Sequence, residues 1–195
     1  NEAVIKEKTA AHYSFNKGTS TQDYPQSLMG AIALIRQTYA DAIWYEQEKN
    51  LNEKNISLTA WTELQNLPQI FGVGDKLSAL RADNLGDEFN VQYIIKGNGD
   101  EYQRINEIKN TGASYIIPVN FPQPYDVQDP YDALTVTLDE LKHWELAPQN
   151  PYVLEKAGVD FAFTSDGLKE KKEFWKNVKT AIRHGLSEKA ALKAL

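Results

Sequence analysis

Apolar positions set the outline of this chain. Leu28, Ala31, Ile32, Ile35, Tyr39 and Ala42 recur at helical spacing behind Ser27, a capping residue, and predict a helix to about residue 48. A polar, Asn-rich stretch over 51–57 reads as a turn, and 58–65 as a second helix. From residue 68 the pattern becomes regular. Short β-rich apolar runs at 69–73, 91–95, 114–119 and 159–164 predict four strands. Helical patterns over 76–89, 101–110, 170–183 and 188–195 fall between and after them, with Gly112 a natural stop for the second. Residues 1–26 show no clear period and read as an irregular lead-in.

Strands alternating with helices mean parallel βαβ units, hence an α/β fold. Two architectures satisfy the pattern. One is an open doubly wound sheet. The other is a (β/α) barrel of the TIM type, which when complete needs eight strands and about 250 residues. The 195 residues form one domain, 1–195, with four predicted strands, so a barrel reading makes the chain a partial one. Such a piece exposes strand edges that must be paired or covered, by the rest of the barrel or by a second copy.

Composition narrows the chemistry. The chain is 42% hydrophobic and 25% charged, as globular proteins are, and carries a net charge of −6. An acidic chain is a poor match for phosphate backbones, so no nucleic-acid partner is expected. No apolar run is long enough to span a bilayer, and no membrane association is expected. There is no Cys, and His12, His143 and His184 are far apart in sequence. Thiolate chemistry is excluded, and no HxH or HExxH pair is present. The lack of Cys fits the cytoplasm and an oxidising compartment alike.

Four segments carry candidate chemistry. Asp166 and Gly167 follow the apolar run 161–164, at the strand end where parallel folds place their sites. Asp166 there reads either as a ligand or proton acceptor or as part of a plain Asp-Gly turn. Lys96-Gly97-Asn98-Gly99-Asp100 follows the strand at 91–95. Its glycines fit neither a GxGxxG motif nor a P-loop, and a tight βα turn is the simpler reading. Lys96 itself suits a cation for substrate or a Schiff-base amine. The Pro-rich loop after the third predicted strand, with Asn120, reads as a pocket wall or as an ordered connection. His143 beside Trp144 is more in keeping with packing or capping than with ligation, and His184-Gly185 with a helix end.

Several stretches together resemble a known family. Asn150-Pro151 through Leu154 to Gly158-Val159, the strand ending in Ser165-Asp166, and Gly185-Leu186-Ser187 through Ala191-Leu192 resemble the closing part of the amidohydrolase superfamily, most closely its imidazolonepropionase-like branch. Tyr24-Pro25 to Met29-Gly30, Ile35-Arg36-Gln37 and Asp41-Ala42 add a looser likeness. The resemblance implies a metal-dependent hydrolase of non-peptide C–N bonds. The chain would supply about strands 4–8 of its barrel and be inactive alone. It also implies Asp166 as metal ligand and catalytic proton acceptor, with a divalent metal, zinc first, in the complete protein. The family's fifth strand carries a metal-binding His where the run 68–73 has Gly72, and its sixth carries another where this chain has Lys96. The rival expectation is therefore a barrel with a binding or structural role, in which Lys96, Asn120 and Trp144 line a small-molecule site.

Overall fold

The computed structural model describes residues 4–48 and 54–195. The expected turn at 51–57 therefore lies partly outside the described residues. Five strands form one sheet: β1 (Ala11–Ser14), β2 (Gln69–Gly72), β3 (Ile94–Lys96), β4 (Tyr115–Pro118) and β5 (Phe161–Thr164). Their spatial order is β1-β2-β3-β4-β5, and every neighbouring pair is parallel. A doubly wound sheet reverses its strand order at a switch point. Here the order never reverses, so each crossover steps the same way round, as in a barrel. The fold is a partial TIM-type barrel.

The lead-in expected to be irregular contains β1. Ala11, Tyr13 and Phe15 alternate with His12, Ser14 and Asn16, and Ala11 N–H donates to the Pro68 carbonyl at 2.9 Å. The run 91–95 also shifts. Asn90 adopts a left-handed φ of 57°, and the Val91 N–H turns back to the Gly86 carbonyl, so pairing begins only at Ile94. A side chain at residue 86 would meet the Val91 carbonyl at 2.3 Å, which accounts for Gly86.

Nine helices are found among the described residues. Between β1 and β2 lie α1 (Leu28–Gln47) and α2 (Ile56–Leu64), capped by Ser27 and Asn55 side chains. After β2 comes α3 (Lys76–Glu88), capped by Asp75. A 3₁₀ turn over Glu101–Arg104 leads into α4 (Ile105–Asn110) after β3. The long connection after β4 holds α5 (Pro130–Ala133), α6 (Leu138–Leu146) and α7 (Asn150–Ala157). After β5 come α8 (Glu173–Arg183), which begins three residues later than the periodicity predicts, and α9 (Glu188–Lys193), which ends two residues earlier. No helix is long and apolar enough to cross a membrane among the described residues.

Alternation splits the sheet into two unlike faces. Phe71, Ile95, Tyr115 and Ile117, all buried, pack outward against Ala79, Ala82, Leu85, Ile108 and Leu154 of the helices. Tyr39 of α1 closes this layer with a 2.8 Å hydroxyl–hydroxyl bond to Tyr93. The opposite face carries His12, Ser14, Ile70, Gly72, Ile94, Lys96, Ile116, Pro118, Ala162 and Thr164, of which Pro118 alone is buried. This is the face that turns inward when a barrel closes. At the β5 edge, the Phe163 N–H is already taken by the Ala194 carbonyl at 2.8 Å.

Candidate functional site

A cleft of about 860 Å³ lies over the carboxyl ends of all five strands. Ser14, Gly72, Lys96, Pro118 and Thr164, the last residue of each strand, all border it. The register brings these ends close: Ser14 lies opposite Gly72, Gly72 opposite Lys96, Lys96 opposite Ile116, and Pro118 opposite Thr164, so β4 and β5 reach two residues past β3. The loop after β1 adds Phe15, Asn16, Lys17 and the segment 25–28 to the wall.

Lys96 and Asp166 meet in this cleft. The Nζ of Lys96 lies 2.5 Å from Oδ2 of Asp166, with the side chains 39% and 63% exposed. Lys96 projects from the middle strand of the sheet, and its Cα neighbour on β2 is Gly72, which leaves room beside its stem. Asp166 sits two residues beyond β5. The turn there is real: Leu168 N–H bonds the Ser165 carbonyl, Asp166 N–H bonds Thr164 Oγ1, and Gly167 has a φ of 74°. The turn reading of Asp166 holds, and the turn sets its carboxylate at the cleft. The hydrogen bond and charge of Lys96 hold the Asp166 carboxyl below the ordinary carboxylate range.

Asn120 lines the same cleft. A methyl group at residue 167 would fall 2.2 Å from its Nδ2, so glycine there makes room for the amide. The backbone beside it is tied down by Asn177, whose Nδ2 donates to the Val119 carbonyl at 2.7 Å. Trp144 lies on α6, partly exposed, and is not among the residues that line the cleft. Its neighbour His143 borders a smaller adjoining pocket with Asn98, Pro118 and Asn120. His143 also stacks on Tyr102, with Nδ1 3.1 Å from the Tyr102 hydroxyl.

The Gly-rich turn after β3 does cradle an acid, and the acid is the chain's own. Glu101 is 1% exposed, and its Oε1 accepts from Asn98 N–H at 2.9 Å and Gly99 N–H at 3.2 Å. Its Oε2 accepts from Asn150 Nδ2 at 2.6 Å, while Asn150 Oδ1 takes the Tyr102 N–H. Burial pushes the Glu101 carboxyl up, against the pull of these donors. The cradle is therefore closed to an outside phosphate.

Sequence reasoning missed the β1 wall and Glu101. The short alternation from Ala11 to Asn16 was a usable signal for the wall. Nothing local marked Glu101, because its key partner Asn150 is 49 residues away.

The donor set around Asp166 does not fit a metal ion. Among the described residues no three His, Cys, Asp or Glu side chains come together in a group that could hold one. His12 faces a separate pocket with Tyr13, Leu34 and Trp61, His143 is stacked on Tyr102, and His184 bonds the Thr180 carbonyl. The immediate partner of Asp166 is an ammonium, which cannot coordinate.

The fold and this cleft define a class, the partial (β/α) barrel with a site over its strand ends. Among solved structures the chain is similar to the crystal structure of an amidohydrolase from Thermotoga maritima MSB8, with a TM-score of 0.70 and 17% sequence identity. The match covers 100% of this chain and 51% of that one, so the chain spans about half the length of its structural neighbour. At this identity the likeness is one of fold. No family model and no curated protein matches the chain.

Proposed function

We propose that this chain is the carboxyl-terminal half of an amidohydrolase-like barrel, about strands 4–8, and that the complete protein hydrolyses a non-peptide C–N bond in the cleft. The observation that carries the reading is the meeting of Lys96 and Asp166 at the open strand ends of a sequentially wound parallel sheet. Asp166, ionised at neutral pH, accepts a proton from the attacking water, and Lys96 holds the carboxylate in place. Lys96 and Asn120 contact the substrate. The imidazolonepropionase-like branch belongs to this proposal and rests on the motifs at 150–159 and 185–192. The partner of the open inner face is the remainder of the same barrel. A metal such as zinc would have to draw its other ligands from outside this chain.

The test is turnover of succinimide and hydantoin by the complete protein. Activity that falls at least about a hundredfold in Asp166→Asn supports the reading. The 195-residue chain alone should give no turnover, because its sheet has five of the eight strands a complete barrel needs. A second reading, a barrel that binds a small molecule without turning it over, is favoured by the ammonium at Asp166. Asp166-dependent turnover by the 195-residue chain would overturn the half-site reading, and its absence in the complete protein would favour the binding barrel.

A further inference from the structure

If the family's arrangement held here, Asp166 would face a cation supplied from solution. It faces one supplied by the chain. The Lys96 ammonium lies 2.5 Å from Asp166 Oδ2, a distance at which a second cation on that oxygen would be repelled. All three histidines are engaged or placed elsewhere. We infer that Lys96 is the resident cation of the cleft, and that the Lys96–Asp166 pair forms a metal-free site for a small carboxylic acid. This rests on the reading of the cleft as the ligand site and adds the ligand's class.

The lining argues for an acid. Two lysines, Lys17 and Lys96, and one carboxylate, Asp166, are its charged side chains, whereas the whole chain carries −6. The other polar groups include the amides of Asn16, Asn98 and Asn120 and the hydroxyls of Ser14, Ser78 and Thr164. An ammonium has three protons and accepts nothing. Asp166 takes one proton of Lys96, and the others are free to meet a ligand carboxylate. Asp166 then acts as a positioning residue: it keeps the ammonium aimed while the lysine stem is held on the middle strand. Charge-assisted bonds of this kind are about twice as strong as neutral ones, which makes an acid a better ligand than its amide.

Calorimetric titration of the purified protein, stripped of metal with EDTA, tests this with succinate as the probe. Succinate should bind with an affinity unaffected by EDTA. Its uncharged analogue succinamide should bind about tenfold more weakly or worse. Lys96→Met should weaken succinate binding by about tenfold or more, and Lys96→Arg, which keeps the charge, by no more than about threefold. Circular dichroism of each variant reports its fold. Should Lys96→Met unfold, the contrast of succinate with succinamide and the Lys96→Arg variant still decide. One equivalent of zinc bound by wild type and lost in Asp166→Asn would overturn the inference and leave the hydrolase reading standing. So would Asp166-dependent turnover without succinate binding. Succinate affinity unchanged in folded Lys96→Met also overturns it. Neither succinate binding nor Asp166-dependent turnover would overturn both readings.

Discussion

Two turns at the same end of the sheet treat a carboxylate in opposite ways. After β3, the chain folds Gly97, Asn98 and Gly99 around Glu101 and buries it. After β5, Ser165-Asp166-Gly167 leaves the carboxylate in the open, held by one ammonium. Burial pushes the first acid up, and the lysine pulls the second down. The first group spends its hydrogen-bonding capacity on the scaffold. The second keeps most of its surface for something else. Position at the carboxyl end of a parallel sheet is thus not enough to mark a functional acid. What separates the two is whether the chain itself satisfies them.

The sharpest way to break this contrast is to fill the cradle. A Cβ at residue 97 would lie 1.9 Å from Glu101 Oε1, so Gly97→Ala must expel the carboxylate. That strands the Asn98 and Gly99 N–H groups and the Asn150 amide in the interior. The expected loss is about 3 kcal/mol or more, measured by urea unfolding. Gly99→Ala has no such clash, its nearest neighbour being Pro118 at 3.8 Å, but sits at a φ of 90° and should cost about 1–2 kcal/mol. Equal effects for the two substitutions would mean that Glu101 is not what the turn is built around.

A second substitution asks what a buried acid does without a cradle. Asp83 on α3 is 9% exposed, and its carboxyl is pushed up to about 6 by burial first and by Asp87 second, against a hydrogen bond with Gln92. Its ordinary value is 3.8, so the folded state binds the proton more tightly than the unfolded one. Stability from this group is then present at low pH and is lost as pH rises from about 4 to about 6. Asp83→Asn keeps the shape and removes the charge. It should stabilise the protein by about 1–3 kcal/mol at pH 7, with the gain vanishing near pH 4. Thermal unfolding of both proteins across that range checks it; a gain that persists at pH 4 would point to packing rather than charge.

Legibility from sequence followed the reach of each interaction. The helix-packed face was readable because its period lies within single elements: the pattern at 76–89 and at 28–48 describes α3 and α1 closely. Strand β1 was lost because a four-residue run gives only a faint alternation, and it exists as a strand only by pairing with β2 across more than 50 residues. The site was partly readable for the same reason. Asp166 and Lys96 each stand at a visible strand end, but their contact spans 70 residues and no local pattern encodes it. The motifs behind the family resemblance are mostly scaffold. Asn150 anchors Glu101, Gly158 ends α7 at a φ of 76°, and Ser187 caps α9 and bonds Glu155. They point strongly to the fold and weakly to the chemistry.

The smallest expected effect is the most diagnostic for the open turn. If the Lys96–Asp166 pair served the scaffold, removing it would cost what removing a buried partner costs, about 3–5 kcal/mol. Both side chains are substantially exposed, so solvent screens the pair and its contribution should stay below about 1 kcal/mol. Because Lys96 lowers the Asp166 carboxyl, that small contribution is present above pH 3.8 and is lost as pH falls through the lower folded value. Lys96→Met and Asp166→Asn should therefore each melt close to wild type at pH 7, and the double variant should melt close to either single one. Raising salt to 0.5 M should shrink what difference there is, since screening acts on exposed charges. A loss above about 2 kcal/mol in either single variant would make the pair a structural clamp and erase the distinction between the two turns.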